Sequence, residues 1–307
     1  MALTSAKRPS SQPDSKAVLE VVDPLWLLKA IGLTIAAAAI LSYLSLCLLL
    51  YQGNWQLILH PKAGAPAKTD LAYQDVRFDA AATGKPRLDG WWIPADTPAN
   101  RTILFLHDGS GSLSDTIDEL RLLHSTGVNV FALDYRGYGQ SDGPHPTESR
   151  MAEDTVAALD YLVNTRHFSA TRIIPYGVGL GAVLAANLVG SHSEIPAVIL
   201  DNPDPLAFTR AISGRKSTFL PMRTLMQEHF DIASALKTLK TPKLLLADSS
   251  QGFDRNRVAA NQSLFLSAPE PKMSVTFNNN VPTDVYRSDS ARAYVLAVNR
   301  FLDEYVR

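Results

Sequence analysis

Arg172-Ile173-Ile174-Pro175-Tyr176-Gly177-Val178-Gly179-Leu180-Gly181-Ala182 decides the fold. A short apolar run ends in three alternating glycines and passes straight into Val183-Leu184-Ala185-Ala186-Asn187-Leu188, which reads as a helix. A strand that turns sharply into a helix builds a site at the C-terminal edge of a sheet. In turns of the form G-x-S-x-G the middle position carries a nucleophilic serine. Here that position is Gly179. The apex is therefore a loss, a replacement or a different kind of site, and the other residues must decide which.

The same strand-then-helix rhythm extends in both directions from this turn. Residues 102–107 form a continuous apolar run of the buried-strand kind, and 128–134, 172–176, 197–201, 243–247 and 273–277 repeat it. Helical patterns occupy 116–123, 149–164, the stretch from Leu180, a stretch ending at Phe265, and 288–305. Residues 73–78 and 87–93 flank a Gly84-Lys85 turn and predict a hairpin, in which Trp91 and Trp92 pack. Strands alternating with helices predict an α/β fold with a mostly parallel sheet covered on both faces.

From Ala30 to Tyr51 no residue is charged, and leucine and isoleucine dominate. About 20 such residues cross a bilayer core. Trp26, Tyr51 and Trp55 stand where interfacial aromatics belong. A signal peptide would need a shorter apolar core and a small-residue cleavage site, and a buried core helix would show a polar face. The sequence thus predicts a disordered polar tail over 1–24, one transmembrane helix over 25–52, a linker over 53–71 and a single domain over 72–307. Lys7, Arg8, Lys16 and Lys29 before the span outnumber Lys62 and Lys68 after it, which places the domain on the extracytoplasmic side.

Bulk properties narrow the function classes. Of 307 residues, 46% are apolar and 19% charged, enough for a sizeable core, and the net charge of −1 with scattered basic residues argues against nucleic acid as a partner. The single cysteine, Cys47, falls inside the apolar span, which excludes internal disulfides and cysteine-based metal sites. His60, His124, His167, His192 and His229 show no paired metal-ligand spacing. Neither a metal nor a cofactor is expected.

His107-Asp108-Gly109-Ser110-Gly111 follows the third strand, Asp134-Tyr135-Arg136-Gly137-Tyr138-Gly139-Gln140-Ser141 the fourth, and Gly177 to Gly181 the fifth. With these motifs in this order the chain resembles the α/β-hydrolase superfamily over residues 72–306. The N-terminal span, His60-Pro61 and the early hairpin resemble its membrane-anchored, serine-peptidase-like (S33-like) branch. The resemblance implies an eight-stranded sheet with the second strand antiparallel, helices on both faces, and a pocket above the strand ends roofed by 204–231. It also implies a Ser nucleophile, an Asp or Glu, and a His, in that chain order. Gly179 supplies no nucleophile. The His is expected in the loop after the last strand, around 278–282, yet no histidine occurs after His229. The acid is expected after Ala247; Asp248 and Asp254 are nearby, but the offset falls nearer Gln251. Where family members carry His-Gly at the oxyanion turn, Asp108 follows His107, and a carboxylate there opposes the charge that the hole stabilises.

These departures point to a triad that has been lost, and to a non-enzymatic role: binding a small apolar ligand or lipid in the pocket, or a protein partner at the membrane. The pocket candidates are Asp108, Gly109, Ser110, Leu180, Asp248 and Asp254. The alternative is a working hydrolase of esters, thioesters or peptides in which Ser110 or Ser112 attacks with His107 or His145 as base. The bland reading makes those serines turn residues, His107 a strand-end histidine satisfied by backbone, and Asp134 and Asp201 turn and helix caps. A minor alternative takes Gly177-x-Gly179-x-x-Ala182, with Asp201 about 20 residues on, as a dinucleotide fingerprint.

Overall fold

The computed structural model describes residues 23–66, 69–80, 84–213, 219–249, 254–278 and 289–306. The chain divides into two compact units, Met1–Leu49 and Leu50–Arg307.

Helix α1 spans Pro24–Gly53. Asp23 starts it by accepting the Leu25 N–H at 2.9 Å, with proline at the first helical position, where its missing N–H costs nothing. The helix is long and apolar enough to cross a membrane. Its leucines and isoleucines point outward on every side, with no buried stripe.

In the second unit eight strands form one sheet: β1 (Gln74–Asp79), β2 (Arg87–Ile93), β3 (Thr102–Leu106), β4 (Asn129–Asp134), β5 (Ile173–Val178), β6 (Val198–Asp201), β7 (Lys243–Asp248) and β8 (Lys272–Phe277). Their spatial order is β8-β7-β6-β5-β3-β4-β2-β1. Strand β2 runs antiparallel to both neighbours and every other pair is parallel, as the resemblance implies. The helices are α2 (Ile117–His124), α3 (Glu148–Asp160), α4 (Gly181–Ser191), α5 (Ala207–Ile212), α6 (Met222–Leu225), α7 (Ile232–Lys237), α8 (Arg255–Ser267) and α9 (Asp289–Tyr305).

Period-2 alternation divides each central strand between two cores. Leu104, Leu106, Phe131 and Leu133 meet Ala182, Val183 and Ala186 of α4 on one face. Ile103, Phe105, Val130 and Ala132 share the opposite core with Tyr294, Val298, Phe301 and Leu302 of α9. Those α9 positions fall at i, i+4, i+7 and i+8, the spacing of one helical stripe. Burying each such side chain stabilises the fold by roughly 1.5–3 kcal/mol. The helix expected over 149–164 is regular only to Asp160. Its last turn, Tyr161–Thr165, widens, with the Arg166 N–H reaching back five residues to the Tyr161 carbonyl at 3.0 Å.

Two segments frame the strand ends. The stretch after α1 acts as a strap: His60 and Pro61 pair in parallel with Ser110 and Gly111, and Lys62 and Gly64 exchange backbone hydrogen bonds with Gly111 and Gly139. The second is the expected roof, built here from α5, α6 and the chain leading to α7.

Candidate functional site

Strand β5 ends at Val178, α4 begins at Gly181, and Gly179 between them takes φ +56°, a left-handed conformation that glycine adopts without strain. Its N–H donates to the Asp201 carbonyl at 3.0 Å. Gly181 is small for another reason: a Cβ there would run into the backbone carbonyls of Leu106 and His107. The elbow is therefore intact as backbone.

What fills it is Asp108. Its Oδ1 accepts the Leu180 N–H at 2.8 Å, at the N-terminal end of α4. A Cβ built on Gly179 would collide with the same carboxylate. One side chain thus takes both the space of an apex nucleophile and the N–H that would polarise a substrate carbonyl. The helix dipole and the charge-assisted bond both favour an anion at that point.

Above lies a cavity of about 330 Å³. Leu57, Ile58, Leu180, Ala207 and Ala211 form its apolar wall, and His60, Asp108, Ser110, Asp204, Arg210 and Arg257 its polar one. Asp204 pairs with Arg210 and, at 3.8 Å, with Arg257, while Arg210 also reaches Asp254 at 3.9 Å. The Asp204 carboxylate beside it holds the Arg210 guanidinium more firmly charged. The pocket is amphipathic.

Of the candidates named from sequence, Asp108, Ser110 and Leu180 line this cavity. Gly109 backs it: its carbonyl accepts from the Tyr138 hydroxyl at 2.8 Å and the His60 N–H at 2.7 Å, and a side chain there would strike Leu180. Asp254 touches the cluster through Arg210 while accepting the Asn256 N–H at 2.9 Å as the cap of α8. Asp248 does not reach the cavity; it is buried at the end of β7, its N–H donating to Asn202 Oδ1 at 2.6 Å. Gln251 and residues 279–282 lie outside the described residues.

The surrogate bases are not brought to the pocket. His107 is fully buried, its Nδ1 2.6 Å from the Asp108 carbonyl and its Nε2 3.5 Å from Asp134 Oδ1, and burial pushes it down to about 4. His145 stacks on Trp55 at 5.0 Å between ring centroids. Ser112 closes a capping box with Asp115. Asp134 accepts the Leu113 N–H at 2.9 Å, the expected turn cap, and burial raises its carboxyl to about 7. Asp201 is not a helix cap: its carboxylate accepts from the Tyr176 and Tyr294 hydroxyls, because the α9 face brings Tyr294 beneath the strand end.

The dinucleotide reading fails at the same turn. A pyrophosphate would lie at the N-terminus of α4, where the Asp108 carboxylate already sits. Sequence reasoning missed His60, Asp204, Arg210 and Arg257. His60 stands in register with Ser110, and only the strap pairing, of two residues, brings it there. Among the described residues no group of three or more His, Cys, Asp or Glu is placed to hold a metal ion.

Comparison with known proteins agrees with this fold. A family model described as "Alpha/beta hydrolase family" matches residues 103–306. An uncharacterized protein of Mycobacterium tuberculosis is 28% identical over 253 residues, covering 81% of this chain and 87% of its own length. The alpha/beta hydrolase domain-containing protein WAV2 of Arabidopsis thaliana is 28% identical over 216 residues, 69% of this chain and 66% of its own. Protein bem46 of Schizosaccharomyces pombe is 31% identical over 141 residues, 45% of this chain and 46% of its own. Among solved structures, the Pyrococcus furiosus esterase Pf2001 superposes with a TM-score of 0.62 at 19% identity, covering 81% of this chain and all of that one, a likeness of fold.

Proposed function

We propose that this chain, which belongs to the alpha/beta hydrolase family, is a membrane-anchored, non-catalytic member that binds a ligand in the inherited pocket. It fits the serine-peptidase-like (S33-like) branch, with a degenerate triad, α1 as a single-pass anchor and the domain on the extracytoplasmic side. The observation that carries the reading is the Asp108 carboxylate bonded to the Leu180 N–H over a side-chain-free Gly179. Acyl transfer needs a nucleophile at the apex and an open donor for the oxyanion. Here the first is missing and the second is satisfied internally by a negative charge. The lining suits an amphiphile: an apolar body along Leu57, Ile58 and Ala207, and a polar end against Arg210, Arg257 and Asp204. A protein partner held at the membrane is the other non-catalytic role consistent with this site.

One observation favours a second reading. Ser110 and His60 are register partners and both line the cavity, so a Ser110 nucleophile with His60 as base is the surrogate enzyme this geometry allows. No hydrogen bond joins them among the described residues, and no acid is seen orienting His60. A fluorophosphonate probe on the detergent-solubilised full chain separates the two. We expect no labelling above a heat-denatured control. Labelling abolished by Ser110→Ala would overturn the non-catalytic reading and establish the second.

A further inference from the structure

Most of the polar wall of the 330 Å³ cavity is satisfied from within. Asp204 is only 7% exposed; it accepts the Leu206 N–H on Oδ1 at 3.2 Å and Arg210 on Oδ2, with Arg257 at 3.8 Å. Arg257 donates through Nε to the Pro203 carbonyl at 3.3 Å and through Nη2 to the Asn202 carbonyl. Arg210 is held charged first by its bond to Asp204, and the Asp108 charge contributes last. An incoming anion would have to displace these contacts and would still face the carboxylates of Asp204 and Asp108.

Asp108 is different. Its Oδ1 accepts the Leu180 N–H at 2.8 Å, while Oδ2 accepts no hydrogen bond among the described residues. The residue is half-buried and shares the lining with Leu180 and Ile58, so its carboxylate stands beside an apolar wall. Leaving His60 aside, three carboxylates at this end of the cavity, Asp108, Asp204 and Asp254, meet two guanidinia, Arg210 and Arg257. The surplus is one negative charge, and the side chain with spare acceptor capacity is Asp108. Opposite charges attract more strongly in such a partly desolvated site than in bulk water. Ser110, in the same lining, adds a hydroxyl oxygen able to accept a second donor.

We propose that the pocket takes a small amphiphile whose polar end is a protonated amine, with the ammonium on Asp108 Oδ2 and the apolar chain along Leu57, Ile58 and Ala207. An ammonium brings three donors and one positive charge. It therefore meets the unfilled acceptor and cancels the unbalanced charge together, which neither an alcohol nor a carboxylate does. The inference rests on the cavity being a ligand site, and it narrows the polar contact there from the Arg210–Arg257–Asp204 cluster to Asp108. One carboxylate then has two tasks: Oδ1 caps α4 and Oδ2 selects the ligand.

The test uses probes that share one tail: hexylammonium, hexanol and hexanoate, each titrated calorimetrically into the detergent-solubilised full chain at neutral pH against a detergent blank. A hydrogen bond to a charged group corresponds to roughly tenfold in affinity or more. Hexylammonium is expected to bind at least about tenfold tighter than hexanol, and hexanoate more weakly than hexanol. Asp108→Asn keeps an acceptor for the Leu180 N–H and loses the charge. It should cut the ammonium preference to about threefold or less and leave hexanol binding unchanged. Asp303→Asn, at an exposed carboxylate on α9, should leave the preference whole. Ala211→Trp, in the half-buried lining, should weaken every probe. Equal affinities in the unmodified chain, or a preference for hexanoate, would overturn the proposal, as would an ammonium preference that survives Asp108→Asn. If no probe binds, or if binding ignores Ala211→Trp, the ligand-site reading itself falls, and this inference with it.

Discussion

Gly179→Ser, the change that would rewrite the catalytic motif, is predicted to damage the protein rather than revive it. A serine at φ +56° costs roughly 1–2 kcal/mol in backbone strain. Its Cβ also expels the Asp108 carboxylate from the Leu180 N–H, and a hydrogen bond to a charged acceptor is worth roughly 1.5–3 kcal/mol. The two together make about 2.5–5 kcal/mol. For a domain of this size each kcal/mol moves the melting midpoint by about 2–4 °C, so the variant should melt roughly 5–20 °C lower. Asp108→Ala alone forfeits only the hydrogen bond. Because that bond can be lost only once, the double variant should be about as stable as Gly179→Ser by itself. The mutant cycle should therefore close with a coupling of about 1.5–3 kcal/mol. Tryptophan-fluorescence melts of the four proteins in one detergent measure it. Strictly additive losses would show that Asp108 and the apex side chain do not share a space. Ester hydrolysis recovered by Gly179→Ser alone would show that a base has been overlooked.

Two further outcomes follow from buried charge. Burial raises Asp134 to about 7, so its contribution is fully present below the unfolded value of about 4 and is lost as pH climbs through 7, at about 1.4 kcal/mol per unit. His107, pushed down to about 4, acts oppositely, its contribution present above about 6.5 and lost as pH falls. Asp134→Asn removes the first effect and keeps the Leu113 contact, so urea unfolding should find the variant gaining on the parent between about pH 4 and 7; an unchanged difference would refute the assignment. Arg136 makes 2.8 Å bonds through both Nε and its backbone N–H to the wholly buried Asp154, whose carboxyl burial drives upward. Arg136→Leu should cost about 3–5 kcal/mol, and adding Asp154→Leu should recover much of it, because an unpaired buried charge is worse than none. A double variant less stable than the single would contradict this.

Most of the sheet was legible because it follows local rules. Buried strands such as those over 103–106 and 244–247 are continuous apolar runs, and their alternation with helices dictates parallel pairing. The empty apex was legible too, since a glycine at a motif position is a fact of sequence. What the pattern did not contain was the strap. His60 and Pro61 carry no strand signal, and their pairing with Ser110 and Gly111 depends on a contact 50 residues distant. Arg210 and Arg257 belong to helices whose positions over the strand ends are set by tertiary packing alone. Asp201 was misread for a similar reason: nothing local announces that a tyrosine 93 residues later will share its carboxylate.

On the non-catalytic reading proposed above, Asp108 is the residue in which the losses become one event. An elbow stripped of its serine leaves the Leu180 N–H pointing into a cavity at the positive end of α4, a donor with no intrahelical partner. In an enzyme that orphan is tolerated because the substrate's oxyanion uses it. Where turnover no longer matters, as this reading has it, an aspartate reaching in from the neighbouring turn satisfies the donor, and a glycine at the apex makes room for it while relieving roughly 1–2 kcal/mol of strain. Each substitution favours the other: the carboxylate collides with any apex side chain, and without the carboxylate the glycine leaves the helix end uncapped. The pair exchanges a strained, chemically poised turn for a stable one, the direction expected when activity stops paying for strain. On this reading, restoring the hydrolase means reversing both changes and supplying a histidine, three steps of which no single one is rewarded.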